Sequence, residues 1–351
     1  MIEKKKTKVV RIGSQKIGGR FPVLIQSMTN TPTWDVRKTV KQIKELEKAG
    51  CEIIRIGVPD LKAAKVISQI KKGVNIPLVA DIHFSEDIAL EAIRQGVDKI
   101  RINPGNFPKA GLRAIVESAK KKNIPIRIGI NSGSLEKDIL GKNKRVTAEM
   151  MVRSALKNIR LMENLNVYNL VVSLKSPDVL KTIKAYEMLS KKTSYPLHLG
   201  VTEAGGSFTG TIKSSIALGT LLSRGIGDTI RISLTADPVE EVRVAWEILK
   251  ALELRNRGLM IVSCPTCSRT EIDVLKLTQE VEKLDNKVKK PLRVAIMGCI
   301  VNGLGEAREA DVGIIGVKNA ALISKKGKII KRVKKENSLK ELKKLIKSIG
   351  N

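Results

Sequence analysis

The chain has 351 residues, 42% of them hydrophobic, enough for about two globular domains with ordinary buried cores rather than a solvated tail. Lys and Arg number 65 against 35 Asp and Glu, a net charge of +30 that points to anionic partners, yet only 3% of residues are aromatic, which argues against a single-strand nucleic-acid platform. No stretch reaches the ~18 uninterrupted apolar residues of a membrane span, and the basic opening Lys4 to Lys8 leads into Arg11, Gly13 and Gln15 rather than an apolar signal core, so a cytoplasmic protein with no membrane partner is expected.

Eight short, nearly continuous apolar runs precede residue 240. They are Val23 to Met28, Glu52 to Val58, Leu78 to Phe84, Lys99 to Asn103, Ile126 to Asn131, Asn169 to Lys175, Leu197 to Thr202 and Thr229 to Leu234. Between them lie amphipathic segments such as Val36 to Ala49, Leu61 to Lys72, Ala148 to Leu165 and Val239 to Leu252, with apolar residues at helical spacing. Buried parallel strands read as such runs, and eight strand-helix units in this length predict an α/β fold, a closed (β/α)8 TIM barrel over residues 1–257.

Nearly every run ends in polar residues: Ser27 and Thr29, Arg55, Asp81 and His83, Arg101 and Asn103, Arg127 and Asn131, Ser173 and Lys175, Thr202 and Glu203, Arg231 and Ser233. Alternate strand residues share a face, so Asp81 with His83, and Arg101 with Asn103, point the same way at the barrel mouth, where barrel enzymes carry their sites. Strand ends meet loops and are often polar for that reason alone. Arg55, Arg101, Arg127, Lys175 and Arg231 together go further, because guanidinium forks match phosphate oxygens, and suggest a small substrate with more than one phosphate. After the seventh run, Glu203-Ala204-Gly205-Gly206 and a helix carrying Lys213 and Ser214 resemble a helix-start anion site, with an ordinary glycine turn as the alternative.

A smaller α/β unit is expected over residues 258–351, with apolar runs at Leu259 to Val262, Leu292 to Met297 and Val312 to Val317, helices at Glu271 to Leu284 and Leu339 to Ile349, and a Lys-rich hairpin around Gly327. Three of the four cysteines fall here: Cys264-Pro265-Thr266-Cys267 after one strand and Cys299 at the end of another. Cys51 stands alone and reads as a buried structural thiol. Three thiolates from two strand ends form a sulfur-rich pocket suited to an iron-sulfur cluster, to zinc, or to a redox dithiol. Both histidines, His83 and His198, belong to the barrel, so zinc lacks an evident fourth ligand, whereas a cluster could take the carboxylate of Glu306.

These residues resemble the bacterial 4-hydroxy-3-methylbut-2-enyl diphosphate synthase family of the non-mevalonate isoprenoid pathway. The resemblance runs through Gln26-Ser27-Met28-Thr29-Asn30-Thr31, Val79-Ala80-Asp81-Ile82-His83-Phe84, Arg101-Ile102-Asn103-Pro104-Gly105-Asn106, Gly133-Ser134-Leu135-Glu136-Lys137-Asp138, Thr202-Glu203-Ala204-Gly205-Gly206, Cys264-Pro265-Thr266-Cys267-Ser268-Arg269 and Gly298-Cys299-Ile300-Val301-Asn302-Gly303. It implies an oxidoreductase that opens 2-C-methyl-D-erythritol 2,4-cyclodiphosphate to 4-hydroxy-3-methylbut-2-enyl diphosphate with two electrons and loss of water. It implies one 4Fe-4S cluster per chain on Cys264, Cys267 and Cys299, with Glu306 as displaceable fourth ligand, and flavodoxin or ferredoxin as electron donor. Substrate contacts are implied for Arg55, Arg101, Asn103, Arg127, Asn131, Lys175 and Arg231, with Asp81, Ser233 and His83 weaker carry-overs and Glu203 a candidate for proton transfer. A homodimer is implied, the cluster domain of one subunit capping the barrel mouth of the other.

Leu304 stands where the family usually has proline, which suggests a looser loop between Cys299 and Glu306. Two rival readings remain at this level: a non-redox barrel transferase or lyase acting on phosphates with a zinc-stabilised appendage, and a basic RNA-binding protein, favoured by charge alone.

Overall fold

A computed structural model of the protein describes residues 2–83, 85–141, 145–285, 288 and 290–350; Phe84, expected to end the third run, lies outside them. The chain divides into two compact units, residues 1–255 and 256–351. Among the described residues no helix is long and apolar enough to cross a membrane.

The first unit opens with a hairpin, β1 (Val10–Ile12) and β2 (Gln15–Ile17), that the pattern of apolar runs does not predict. Eight parallel strands follow: β3 (Leu24–Met28), β4 (Ile53–Gly57), β5 (Leu78–Asp81), β6 (Lys99–Ile102), β7 (Ile126–Asn131), β8 (Leu170–Lys175), β9 (His198–Leu199) and β10 (Thr229–Ile230). Their order, β8-β7-β6-β5-β4-β3-β10-β9, closes through a bridge between Val172 and Leu197. The helices are α1 (Val36–Ala49), α2 (Leu61–Lys65), α3 (Ile67–Lys72), α4 (Glu86–Arg94), α5 (Lys109–Lys121), α6 (Lys137–Leu140), α7 (Ala148–Asn164), α8 (Val179–Ser190), α9 (Ser207–Ser223) and α10 (Pro238–Ala251). The expected single helix from Leu61 to Lys72 is broken at Val66, whose carbonyl takes the amides of both Gln69 and Ile70 in one tighter turn.

Apolar residues clothe the outside of this barrel. Ile54, Ile56, Ala80, Ile100, Ile102, Ile126, Ile128, Ile130, Val172 and Leu174 point at the helices and build one continuous core with residues such as Ile43, Ile115, Met151 and Leu218. The inward positions are apolar only at the base, where Leu24, Ile53, Val79 and Val171 pack on Val10, Ile12 and Ile17 of the hairpin. The hairpin is therefore a plug. Its β-period alternation is visible in Val10-Arg11-Ile12, but its partner surface is assembled from four separate strands, so only the tertiary structure reveals its purpose.

The second unit is a five-stranded sheet, β11 (Leu259–Ser263), β12 (Leu292–Met297), β13 (Val312–Val317), β14 (Ala320–Lys325) and β15 (Lys328–Lys334), in chain order with the first three parallel. Helices α11 (Val274–Glu282), α12 (Ile300–Arg308) and α13 (Ser338–Gly350) complete it. β12 stops at Met297, so Cys299 does not end a strand; it caps the N-terminus of α12. The segment expected to be a loop from Cys299 to Glu306 is thus helical. Leu304 supplies a backbone amide inside that helix that proline lacks, so it favours the turn instead of loosening it.

Ile12 is fully buried at the barrel base. Ile12→Ala should lower the unfolding free energy by about 2–5 kcal/mol, the usual cost of a core cavity of that size, in urea titrations. An unchanged midpoint would show that the hairpin does not seal the base.

Candidate active site

Above the apolar base, the inward positions of the barrel turn polar and mostly cationic. Strand register places Asp81 opposite Arg101 and Arg101 opposite Arg127, while Asn131 lies opposite Lys175. Because these alternate with the outward isoleucines, the same period that builds the barrel wall aims them at one space. Arg55, Asp81, Arg101, Asn103, Arg127, Ser173 and Lys175 are all buried; Asn131, Arg231 and Ser233 are half-buried, and His83 and Glu203 are exposed.

Asp81 is the hub. Its carboxylate lies 3.2 Å from Arg101 Nη1, 3.8 Å from Arg55 Nε and 3.7 Å from His83 Nε2. Burial alone would raise the Asp81 carboxyl, but the Arg55 charge, His83 and Arg101 outweigh it and hold it well below the ordinary carboxylate range. Arg101 Nη2 also donates to the Gly129 carbonyl at 3.3 Å. Burial pulls Arg55 down to about 10, which leaves it charged at neutral pH. Arg127 is 1% exposed; burial, and then the neighbouring Arg55 and Arg101 charges, lower its proton affinity, and its Nε and Nη1 have no hydrogen-bond partner among the described residues. Lys175 is lowered by burial and then by Arg127 and Arg231.

Two glycines make room for these cations. A Cβ at Gly129 would overlap the Arg101 guanidinium, and one at Gly200 would stand 2.6 Å from Lys175 Nζ. Glycine at these positions lets long basic side chains lie flat against the strands.

Three further residues of the site do not stand out from sequence. Lys99, fully buried, shares a face with Arg101 and Asn103 and places Nζ 3.4 Å from Gln26 Oε1. The alternation Lys99, Arg101, Asn103 is the available signal. His198 is fully buried, its Nδ1 2.9 Å from Thr229 Oγ1, and burial followed by Arg127 and Lys175 holds it far below its usual range and neutral. Glu241 on α10 is 4% exposed and accepts from Ser27 Oγ at 3.1 Å and from the Leu234 amide at 3.1 Å, with Arg231 Nη2 3.4 Å away. It occupies the apolar stripe of α10 beside Val242, Ala245 and Leu249, which is where a buried carboxylate can be suspected from sequence.

The mouth thus gathers Arg55, Lys99, Arg101, Arg127, Lys175 and Arg231 around only two buried carboxylates, Asp81 and Glu241. Buried like charges are costly unless compensated, so this surface favours an anion carrying several negative charges. The loop after β9 brings Glu203 to the rim with φ +52° and leads through Gly205 and Gly206 into α9, while the Thr235 amide donates to the Gly205 carbonyl at 2.9 Å and ties this loop to the one after β10.

In the second unit, β11 and β12 run parallel and in register, so Cys264 emerges beside the end of β12. The Gly298 amide, one residue before Cys299, donates to Cys264 Sγ at 3.0 Å. Cys267 sits on an exposed turn whose carbonyl accepts from the Thr270 amide. All three thiols are free, and Cys264 packs on the apolar group of Ala295, Met297, Ala307 and Ile315. Among the described residues no three His, Cys, Asp or Glu side chains converge closely enough to hold a metal ion as they stand. Glu306 is two helical turns from Cys299 on the same face of α12, and helical side chains lean toward the N-terminus that Cys299 caps. A soft sulfur donor set, an N–H···S contact and an apolar backing fit a thiolate-bound cluster. Cys51, by contrast, is buried, donates to the Ile53 carbonyl at 3.1 Å and is pushed up to about 12 by burial, so it is inert.

A cationic-mouthed (β/α)8 barrel joined to a small cysteine-bearing α/β unit defines a two-domain barrel enzyme for phosphorylated substrates. Residues 7–246 match the GcpE TIM-barrel domain and residues 260–348 the GcpE protein C-terminal domain, and the chain belongs to the GcpE family. It is 58% identical, over 99% of its length and 98% of the relative's, to the 4-hydroxy-3-methylbut-2-en-1-yl diphosphate synthase (flavodoxin) of Caldanaerobacter subterraneus subsp. tengcongensis. It is 57% identical, over 96% and 97% of the two chains, to the protein of the same name from Clostridium acetobutylicum. Among solved structures, the dihydropteroate synthase of Burkholderia cenocepacia aligns with a TM-score of 0.52 at 15% identity, covering 72% of this chain and all (100%) of that one, a likeness of fold alone.

Two outcomes test this geometry. Gly129→Ala should displace Arg101 and weaken binding of inorganic diphosphate by about tenfold, read by calorimetry, and an unchanged Kd would remove Arg101 from the anion site. His198 has its folded pKa depressed, so its contribution to stability is present above the unfolded value near 6.5 and is lost as pH falls. Relative to His198→Asn, the native protein should lose up to about 1.4 kcal/mol of stability per pH unit below pH ~6.5, and parallel profiles would sink the assignment.

Proposed function

We infer that this protein is the oxidoreductase that converts 2-C-methyl-D-erythritol 2,4-cyclodiphosphate to 4-hydroxy-3-methylbut-2-enyl diphosphate in isoprenoid precursor synthesis, with flavodoxin as electron donor. The observation that carries the reading is the buried cation cluster around Asp81, matched to a substrate with two linked phosphates, in a chain of this family. The rival zinc-stabilised transferase shares the barrel but leaves a zinc ion on Cys264, Cys267 and Cys299 without an evident fourth nitrogen or sulfur ligand.

Arg55, Arg101, Arg127, Lys175 and Arg231 bind the diphosphate, and Asp81 with Glu241 holds Arg55, Arg101 and Arg231 in place before the substrate arrives. Asn103, Asn131 and Ser233 offer neutral hydrogen bonds around the carbon skeleton. When bound by Cys264, Cys267 and Cys299, with Glu306 as a displaceable fourth ligand, one 4Fe-4S cluster per chain supplies the two electrons singly. The net change takes up two electrons and two protons, breaks one carbon-oxygen bond to phosphate and releases one hydroxyl as water. Negative charge grows on the departing phosphate oxygen, which the preorganised arginines and Lys175 stabilise without rearranging. Glu203 at the rim is placed to move a proton to the leaving hydroxyl.

The unit that carries the cysteines serves a barrel in a homodimer. Exposed Trp34, Leu180 and Phe208 stand on loops and helix starts at the carboxyl end of the barrel strands, and exposed Ile300, Val301 and Leu304 surround Cys299. Apolar patches at both places support a cluster unit of one subunit covering the mouth of the other, which excludes water from the reacting bond.

The test is anaerobic iron and sulfide content with turnover of the cyclodiphosphate by reduced flavodoxin. About four irons and four sulfides per chain are expected, and Cys267→Ser should abolish both cluster and turnover while the barrel stays folded by circular dichroism. Normal iron content and turnover in that variant would refute the ligand set. Stoichiometric zinc without sulfide would return the transferase to first place.

A further inference from the structure

The helices of the barrel pack side by side around most of the ring, α4 on α5, α7 on α8, α8 on α9 and α9 on α10, but α5 and α7 do not pack closely on each other. There the surface sinks into a cleft of about 880 Å³. Its wall is apolar, from Leu112, Val152, Leu156, Leu161, Leu165 and Met188, and its edge is cationic, from Lys109, Arg113, Arg160 and Lys192. None of these four cations makes an ion pair among the described residues. The other charged lining groups are engaged: Glu149 with Lys184 at 2.5 Å, Lys157 with Asp138 at 2.6 Å, and Arg153 with the Ile139 carbonyl at 2.8 Å.

We propose that this cleft is a regulatory site for a soluble amphipathic anion, a single apolar chain bearing a diphosphate. The volume is that of a small-molecule site, the apolar wall accepts a hydrocarbon chain, and free arginines at the edge match a diphosphate headgroup. That the natural ligand is a longer-chain diphosphate built from the product rests on the proposed function.

The cleft is wired to the mouth through one turn. Pro104 and Gly105 line it, and the preceding residue is Asn103 of the mouth, whose Oδ1 accepts from the Gly105 amide at 3.3 Å. Gly105 also abuts Glu136, since a Cβ there would lie 3.0 Å from that side chain, and Glu136 is held by Ser154 and Asn158 of α7 at 2.6 Å each. A ligand seated against α7 and this turn therefore bears on Asn103, so occupancy changes the KM for the cyclodiphosphate.

The experiment is calorimetric titration of the anaerobic holoenzyme, without reductant and with its mouth filled by saturating cyclodiphosphate, with geranyl diphosphate below its aggregation concentration. One saturable site per chain is expected, with inorganic diphosphate at least about tenfold weaker there because it lacks the chain. Arg113→Glu with Arg160→Glu should weaken binding by about tenfold or more and leave basal turnover unchanged, since neither residue belongs to the mouth. Saturating cyclodiphosphate should leave the site available, and bound geranyl diphosphate should shift KM several-fold in the native protein only. Full displacement by cyclodiphosphate, equal binding of inorganic diphosphate, preference for phosphatidylglycerol vesicles, unchanged binding in the double variant, or a constant KM at full occupancy would each overturn the proposal. Binding is read without turnover, so a protein that binds at the cleft yet fails to open the cyclodiphosphate would refute the functional reading alone.

Discussion

The constraint on which the barrel depends is the placement of six cationic side chains inside it against two carboxylates. Lys99 and Arg127 lie where water does not reach, and each is pressed toward lower proton affinity by burial and by its neighbours. Such an interior is costly, and several features offset it. The outer faces of the same strands are almost wholly apolar and join the helices in one core. The base is plugged by a separate apolar cluster. Asp81 and Glu241 divide three of the four arginines between them, Arg55 and Arg101 on one and Arg231 on the other. The remaining imbalance suits the proposed function, because binding strength for a polyanion comes from charge the protein leaves uncompensated.

The division of labour between the two units follows from their chemistry. A barrel mouth lined by arginine and lysine is suited to phosphate charge but has no group able to deliver electrons, and the barrel's one cysteine, Cys51, lies before β4 at the opposite end of the strands, buried and held as a thiol. The second unit is the reverse: three free thiols on the turn after β11 and at the start of α12, an amide aimed at sulfur, and an apolar backing. Neither unit is sufficient, which gives physical sense to their union in one chain and to the exposed apolar residues that each carries near its working end.

Legibility from sequence differs from element to element for identifiable reasons. The strands are visible because buried parallel strands are apolar runs, and Ile126–Asn131, Leu292–Met297 and Val312–Val317 coincide with their expected limits. The mouth arginines are visible because a charge is costly inside a buried apolar run and stands out against its neighbours there. The hairpin at residues 10–17 escapes notice because its strands are three residues long and their burial depends on Leu24, Ile53, Val79 and Val171, far away in sequence. The helix after Cys299 is hidden because Asn302, Gly303 and Gly305 read as loop, yet Gly303 is where the helix presses on Ile315 and a side chain would not fit. Glu241 reads as one more acidic residue at a helix start until Ser27 and the Leu234 amide close around it.

Sequence by itself determined the strand-helix alternation, the two-unit order, the arginines at strand ends, the spacing of the three cysteines and the family, because all of these are carried by local period, residue type and motif. Tertiary structure alone decided which charges share a cavity, which carboxylates restrain them, that Gly129 and Gly200 are empty space for Arg101 and Lys175, and that the helical ring opens between α5 and α7. Those are relations between residues tens to hundreds of positions apart, and no local pattern encodes the distance between two side chains that only the closed barrel brings together.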